Sequence, residues 1–272
     1  MNLQLNQHRF NLKKPIVMGV LNLTPDSFSD GGQYSQIDKA IHRVEEMIEQ
    51  GAQIIDIGGE STRPGSSFIS ADEELHRIMP VIEALPKDKY LISVDTNKPE
   101  VQTAVLKAGV HIINDIMGGN ITLYQKAEQY QAGLVLMHTS STPIDMQQKT
   151  GYDDIITEIQ NYFDKRLQEI QKFNLPKVWI DPGIGFGKTL EQNLSIMRQI
   201  DRFTSDDCGI LLGTSRKSWI DKLYSVDTDH RLGASLASII MGYLKGVEIF
   251  RVHDVEESVQ ALDVAKQLNF TS

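Results

Sequence analysis

Short apolar runs recur along this chain, and the stretches between them have helical spacing. Most of the runs are rich in Val, Ile or Leu without clean alternation, as expected for parallel strands that are buried on both faces. The eight runs are Ile16–Leu21, Ile54–Ile57, Leu91–Val94, His111–Ile113, Leu134–Met137, Val178–Ile180, Ile210–Leu212 and Val247–Val252. Regular alternation of such runs with helices restricts the chain to parallel α/β architectures.

Three of the intervening segments show the helical pattern clearly, because apolar residues recur every three or four positions. They are Ile37, Ile41, Val44 and Ile48, then Leu75, Ile78, Met79 and Ile82, and later Ile155, Ile159, Phe163, Leu167 and Ile170. Eight strands alternating with helices predict an α/β fold, a single-domain (β/α)8 TIM barrel. The alternative is an open doubly wound sheet, but no Gly-x-Gly-x-x-Gly turn follows the first run.

One domain accounts for the whole chain, residues 1–272. Barrels of this kind commonly reach ~250 residues as one domain, and no linker or strict repeat divides the 272 residues. The first residues alternate between polar and apolar, with Leu3, Leu5, Phe10 and Leu12 on one face. We therefore predict that residues 1–14 form an N-terminal hairpin that closes the bottom of the barrel.

Charge and composition exclude several classes of partner. The net charge of -9 makes nucleic acid and anionic membrane surfaces poor partners. Cys208 is the only cysteine, so no intrachain disulfide can form. The start of the chain lacks the apolar core of a signal peptide. The most apolar long stretch, Ala234–Leu244, is far shorter than the ~20 residues that span a bilayer. We expect a cytoplasmic protein.

Polar or ionisable residues follow nearly every apolar run. The blocks are Asn22–Gly32, Gly58–Gly65, Asp95–Asn97, Asn114-Asp115, His138-Thr139, Asp181–Lys188, Ser215–Ser218 and Arg251–Asp254. The carboxyl ends of all barrel strands open on one face, so these blocks should converge although they are distant in sequence. Asp95 and Asp181 could act there as metal ligands, as general bases, or as acceptors for a cationic or guanidine-like group, and the residues alone leave that choice open.

The first two of these blocks are long, and the open face is rich in cations. The loops after strands 1 and 2, from Asn22 to about Ser35 and from Gly58 to about Ser70, exceed the usual 2–6 residues and are typical of active-site lids. The cations are Arg63, Arg216, Lys217, Arg251 and His253. Each alone could form a salt bridge with a neighbouring Asp, but together they favour a phosphate or carboxylate ligand.

Several motifs for other chemistries fail. Gly187-Lys188-Thr189 ends like a phosphate-binding P-loop, but Pro182 stands where the first glycine is required. The zinc and calcium signatures His-Glu-x-x-His, Cys-x-x-Cys and EF-hand are missing from the sequence. The chemistry is therefore expected at the strand ends.

Taken in order, the blocks resemble those of the dihydropteroate synthase family, a family of pterin-binding TIM barrels. The most specific are Thr-Pro-Asp-Ser-Phe-Ser-Asp-Gly-Gly at 24–32 and Ser-Thr-Arg-Pro-Gly at 61–65, and the resemblance runs from the first strand to the last. The block after His138 is looser, because many members carry a glycine-containing stretch where this chain has Thr139–Pro143.

The resemblance implies an activity: Mg2+-assisted condensation of 6-hydroxymethyl-7,8-dihydropterin diphosphate with 4-aminobenzoate, giving 7,8-dihydropteroate and diphosphate. It also implies a homodimer. Two alternatives remain, a pterin-dependent methyltransferase domain and a non-catalytic pterin-binding homologue. Asn22, Arg63, Lys217 and His253 argue against the non-catalytic alternative, because a binding protein needs no groups for a leaving diphosphate.

The resemblance further implies a role for each site residue. The pterin would be bound by Asp95, Asn114, Met137, Asp181, Phe186 and Lys217. The 4-aminobenzoate would lie among Thr62, Arg63, Pro64, Ser218 and Phe28. Arg251, His253 and Asn22 would hold the diphosphate, and Asn22 would also bind the metal. The catalytic residues would be Arg63, Asp95 and Lys217.

Overall fold

The protein is described here from a computed structural model. The structure describes residues 1–24, 33–61, 66, 68–140, 150–205 and 207–269, and for residues 33–35 it describes the backbone alone. The strands are β1 (Asn2–Leu5), β2 (His8–Asn11), β3 (Ile16–Asn22), β4 (Ile54–Gly58), β5 (Leu91–Asp95), β6 (Ile112–Asp115), β7 (Gly133–Met137), β8 (Val178–Asp181), β9 (Gly209–Leu212) and β10 (Ile249–Val252).

Strands β3 to β10 form a closed, all-parallel barrel in chain order, with β10 returning to pair with β3. The helices that follow the strands are α1 (Gln33–Glu49), α2 (Ala71–Ala84), α3 (Pro99–Lys107), α4 (Ile121–Tyr130), α5 (Ile155–Ile170), α6 (Leu190–Arg198), α7 (Ser218–Tyr224), α8 (Leu232–Leu244) and α9 (Val255–Leu268). This architecture confirms the (β/α)8 prediction and excludes the open sheet. None of the described helices is long and apolar enough to cross a membrane.

The amphipathic faces predicted for α1, α2 and α5 lie where the spacing placed them. Val44, Ile78 and Ile159 are fully buried against the outer face of the barrel, and the other predicted apolar positions pack around them. Side-chain caps fix the starts of several helices after the functional loops. Ser70, Asn120, Asp154 and Thr189 each accept a backbone N–H from the first turn of α2, α4, α5 and α6.

The pleat of each strand separates the core from the interior of the barrel. In β4, Ile55 and Ile57 pack under the helices, whereas Ile54 packs inside the barrel. Because side chains alternate between the two faces, Asp56 and Gly58 share the inward face with Ile54. The interior is therefore apolar at the amino ends of the strands and polar at their carboxyl ends.

The amino-terminal hairpin covers the apolar end of this interior. Strands β1 and β2 pair antiparallel, and Leu3, Leu5, Phe10 and Leu12 pack against inward-facing residues near the starts of the barrel strands. Asn6 at the turn donates through its side-chain amide to the carbonyls of Gly109 and Val110, which precede β6. The polar end is thus left as the open face.

Strand boundaries differ from the apolar runs in a consistent way. Strands β5 and β8 continue through Asp95 and Asp181, so these carboxylates are the last strand residues rather than the first loop residues. The last strand begins at Ile249 rather than at Val247, because the Val247 N–H donates back to the carbonyl of Gly242 at the end of α8. The backbone of Asp95 and Asp181 is therefore held within a strand rather than in a loop.

Candidate active site at the carboxyl ends of the barrel strands

A buried network of opposite charges lies inside the mouth of the barrel. Arg251 on β10 donates from Nε to Oδ2 of Asp56 at 2.6 Å and from Nη2 to Oδ2 of Asp95 at 2.9 Å. Asn114 on β6 donates from Nδ2 to the same Asp56 oxygen at 3.1 Å. Asp56 is completely buried. Four strands therefore contribute to one fixed polar floor.

This floor retains buried acceptors. Within the described part of the chain, Asp56 Oδ1, Asp95 Oδ1 and Ser93 Oγ are buried and have no hydrogen-bond partner. Burial raises the pKa of Asp95 to about 7; the Arg251 charge opposes the rise, and the Asp56 charge adds to it. A ligand that brings N–H donors to this floor would satisfy groups that the protein leaves unpaired.

A second pair of charges meets beside the first. A Cβ placed on Gly213 would lie 3.6 Å from Lys217 Nζ, 3.9 Å from Asp181 Oδ2 and 3.8 Å from Arg251 Cβ. Glycine at this position leaves room for the three side chains to converge. Asp181 Oδ1 accepts the N–H of Gly183 at 2.8 Å. Its other oxygen, Oδ2, lies beside Gly213, as does the Lys217 ammonium.

Burial perturbs both members of this pair. It raises the pKa of Asp181, and the nearby Lys217 charge opposes that rise. It lowers the pKa of Lys217 to about 8, with Asp181 opposing. Two groups with perturbed protonation in one cleft are typical of a functional site.

Apolar surface flanks the charged pair. The Lys217 ammonium lies 4.6 Å from the centroid of the Phe186 ring, a cation–π distance, and donates to the carbonyl of Ile184 at 2.7 Å. Met137 is buried at the end of β7, directly opposite Asp181 in the strand register. A flat heterocycle would find hydrogen-bonding edges and an apolar face at this site.

The remaining predicted residues lie at the rim or outside the described residues. Asn22 ends β3, and a Cβ on Gly58 would lie 3.6 Å from its Oδ1 and 3.8 Å from Asp95 Cβ. His253 Nδ1 lies 3.1 Å from Ser215 Oγ. Ser218 is exposed at the first position of α7. Thr62, Arg63, Pro64 and Phe28 lie outside the described residues.

Four of the cations named from the sequence lie within the described residues, and one of these, Arg216, pairs with a carboxylate outside the floor. Arg216 has a positive φ of 56° and directs its guanidinium to Asp254, with Nε 2.8 Å from Oδ2. This is the salt-bridge alternative for Arg216, whose partner Asp254 does not belong to the floor. Arg251 is also paired, but with carboxylates of the floor itself.

Two residues of the site were not singled out by the sequence. Asp56 was assigned no role, although a carboxylate within Ile-Ile-Asp-Ile-Gly is an interruption that a buried strand does not need. Lys188 is almost fully buried and donates to the carbonyls of His138, Gly183 and Phe186. The sequence analysis considered Lys188 only as part of a P-loop match that failed, and so assigned it no role.

The donors suit a metal that arrives with its substrate. Among the described residues no group of three or more His, Cys, Asp or Glu could hold a metal ion. The Asn22 side-chain oxygen at the rim is a hard ligand, and Mg2+ is commonly held by few protein oxygens together with substrate phosphates. The Asn22 oxygen therefore fits a site in which a metal would also bind oxygens of the substrate.

Comparison with known proteins identifies the family of the chain. The family model described as "Pterin binding enzyme" matches residues 18–253. Dihydropteroate synthase of Escherichia coli strain K12 is 42% identical over 260 residues, covering 94% of this chain and 92% of the relative. The Yersinia pestis dihydropteroate synthase, solved with a sulfonamide drug, has a TM-score of 0.90 at 38% identity, covering 98% of this chain and 99% of the other. The Xanthomonas albilineans enzyme, solved with 4-aminobenzoic acid, has a TM-score of 0.91 at 34% identity. The match covers 100% of this chain and 99% of the other.

Barrel and site together define a pterin-binding enzyme. Within that class, the chain belongs to the dihydropteroate synthase family. Its function is that of a folate-pathway synthase, and its enzyme class is transferase.

Proposed function

We propose that this chain joins 6-hydroxymethyl-7,8-dihydropterin diphosphate to 4-aminobenzoate at the carboxyl ends of its barrel strands. The C–O bond to the diphosphate breaks, a C–N bond forms between the methylene carbon and the aryl amine, and the amine loses one proton. The single observation that carries the proposal is the convergence of Asp181, Lys217 and Arg251 over Gly213. A relative solved with 4-aminobenzoic acid supports the choice of second substrate.

The pterin is proposed to bind in the floor of the mouth. Its amidine-like N–H edge would donate to the Asp181 carboxylate, which Gly183 already holds in place. Asn114 and Lys217 would contact other heteroatoms, while Met137 and Phe186 would cover the ring. Buried polar groups built for a particular edge reject analogues without it by ~10⁴-fold or more.

The diphosphate is proposed to leave through the rim. Arg251 donates Nε and Nη2 to carboxylates, so its remaining N–H groups are available for an anion. His253 and Asn22 lie on the same face, at the ends of neighbouring strands. Mg2+, when bound, would supply charge that neutralises the leaving oxygens, and Asn22 would be the protein ligand.

The ring and the amine complete the reaction. The methylene becomes electron-poor as the C–O bond breaks, and an ionised Asp95 beneath the ring would favour positive charge there. Thr62, Arg63, Pro64, Phe28 and Ser218 are proposed to frame the 4-aminobenzoate, with Arg63 stabilising charge. An arylamine is nucleophilic when neutral, so no general base is needed.

The chain is proposed to act as one domain, 1–272, in a cytoplasmic homodimer. An apolar groove on the outside of the barrel, between α6, α7 and α8, supports the dimer. Leu194, Met197 and Trp219 line it, and Tyr224 and Met241 are respectively 65% and 53% exposed beside it. Exposed apolar surface of this kind is typical of a protein interface.

The activity is tested by incubating the protein with the pterin diphosphate, 4-aminobenzoate and Mg2+. We expect dihydropteroate and free diphosphate in equal amounts. Binding of both compounds without product would favour the non-catalytic alternative. Methyl transfer from a methylated folate donor instead of condensation would favour the methyltransferase alternative.

A further inference from the structure

Lys188 is a buried basic side chain whose hydrogen bonds go to backbone carbonyls. Burial lowers its pKa to about 7, and the nearby Asp181 charge opposes that shift. The side chain is only 1% exposed, and its ammonium donates to three backbone carbonyls, those of His138 at 3.1 Å, Gly183 at 2.9 Å and Phe186 at 2.9 Å. Among the described residues, no carboxylate lies within ion-pair distance of it. Since an ammonium has three N–H donors, this arrangement satisfies all of them.

The three carbonyls belong to two segments of the site. His138 directly follows the last residue of β7, whereas Gly183 and Phe186 belong to the loop that follows β8. These segments approach so closely that a Cβ on Gly183 would lie 2.0 Å from the His138 carbonyl oxygen. Carbonyl oxygens that converge in this way repel one another unless a donor lies between them, and the Lys188 ammonium occupies that position.

The same loop carries the groups assigned to the pterin. The N–H of Gly183 donates to Asp181 Oδ1, and the Phe186 ring lies under the Lys217 ammonium. Through its bonds to the carbonyls of Gly183 and Phe186, Lys188 is therefore linked to two groups of the proposed pterin pocket, the Asp181 carboxylate and the Phe186 ring. A change at Lys188 should alter Asp181 and Phe186 together.

We propose that Lys188 is a positioning residue for pterin recognition: its ammonium locks the loop at 182–187 against the end of β7 and thereby orients Asp181 and Phe186. This inference rests on the proposed function, because it concerns the site where the pterin is proposed to bind. Lys188 itself would not contact the substrate.

The charge of Lys188 also favours the ionised form of Asp181. Burial raises the pKa of Asp181, and four groups oppose it: Lys217, the Gly183 N–H, Lys188 and Arg251. Removing one of the three cations would move this pKa further upward. Binding of a pterin that needs the carboxylate would then be lost at a higher pH during acidification.

The test replaces Lys188 by methionine, which keeps the length of the side chain and removes its charge and donors. A matched control is Lys87→Met, because Lys87 also donates to backbone carbonyls, those of Ile82 and Leu85, but at the end of α2. Each protein is titrated by calorimetry with 6-hydroxymethyl-7,8-dihydropterin, without diphosphate, over a range of pH. Chemical unfolding of each variant reports its stability.

We expect Lys188→Met to raise the Kd for the pterin by about tenfold or more, because only a fraction of the variant would hold the loop in the binding-competent position. The acid limb of its binding profile, that is, the pH range in which pterin binding is lost on acidification, should also move to higher pH. The Kd of Lys87→Met for the pterin should lie within about twofold of that of the unsubstituted protein, even if this variant is less stable. A tenfold change in Kd corresponds to about 1.4 kcal/mol, so the two variants are easily distinguished. A structural role alone would not move the acid limb.

A second variant covers a failure of Lys188→Met to fold. Lys188→Gln can still donate to two of the carbonyls but carries no charge, so it should fold and still show the displaced acid limb. Unchanged affinity and an unchanged acid limb in either folded variant would overturn the inference. Failure of the unsubstituted protein to bind the pterin would instead overturn the proposed function.

Discussion

The side chains of Arg251 and Asp56 join two strands that are not neighbours in the barrel. Arg251 on β10 donates from Nε to Oδ2 of Asp56 on β4 at 2.6 Å, across the position of β3. The guanidinium is therefore held by the protein itself before any ligand arrives. Preorganised charge of this kind costs little reorganisation when a diphosphate binds.

Substituting Asp56 by alanine should destabilise the protein strongly. It would leave Arg251 with one carboxylate fewer and Asn114 without its acceptor. Removing one partner of a buried ion pair typically costs about 3–5 kcal/mol in the free energy of unfolding. Urea unfolding measures this loss. Glu191→Ala is the control, because its pair with Arg198 is exposed and should contribute little. Equal effects in the two variants would show that the pair across the mouth is unimportant.

The affinity for the pterin diphosphate should fall as the pH rises through about 8. Burial lowers the pKa of Lys217 to about this value, with Asp181 and Asp95 opposing and Arg251 reinforcing the shift. Above this pH the free protein loses the ammonium that would attract the anion. In Lys217→Arg, whose guanidinium keeps its charge up to pH ~12, the decline near pH 8 should disappear. Calorimetry at several pH values measures both proteins, and an identical decline would exclude Lys217 as its source.

The fold was largely predictable because the pattern of burial is local. Ile54 and Ile55 are both buried, one inside the barrel and one under the helices, and such residues produce the apolar runs that mark parallel strands. The convergence of Asp95 and Asp181 followed from the geometry of a barrel once its eight strands were recognised.

The pairing of individual charges was not predictable in the same way. Arg216 follows β9 and Arg251 lies within β10, yet the first pairs with Asp254 and the second with Asp56 in the mouth of the barrel. The difference depends on the positive φ of Arg216 and on the pleat of β10, neither of which the sequence displays. Lys188 was missed for a related reason, since its partners are backbone carbonyls and not side chains.

Mg2+ should tighten binding of the pterin diphosphate but not of the bare pterin. The site is proposed to share the metal between Asn22 and the phosphate oxygens, and the bare pterin brings no such oxygens. Calorimetric titrations with and without Mg2+ give the four affinities. In Asn22→Ala the gain for the diphosphate compound should shrink. A metal-independent affinity in the unsubstituted protein would remove Asn22 from the proposed role.

Replacing Arg63 by alanine should reduce turnover while leaving pterin affinity nearly intact. The residue is proposed to stabilise charge during the reaction, and loss of one such donor typically lowers kcat by about 10²–10³-fold. Steady-state kinetics and pterin calorimetry separate the two quantities. Arg198→Ala on the outer surface, where the side chain is 62% exposed, should leave kcat unchanged. Normal turnover in Arg63→Ala would refute the role.

The central claim is that Asp181, fixed at the end of β8 near Lys217, recognises the pterin. Calorimetric titration of the bare dihydropterin into the unsubstituted protein and into Asp181→Ala tests it most directly. We predict clear saturable binding to the first and none to the second, with both proteins folded. Near-normal binding to Asp181→Ala would place the pterin somewhere else and contradict the account.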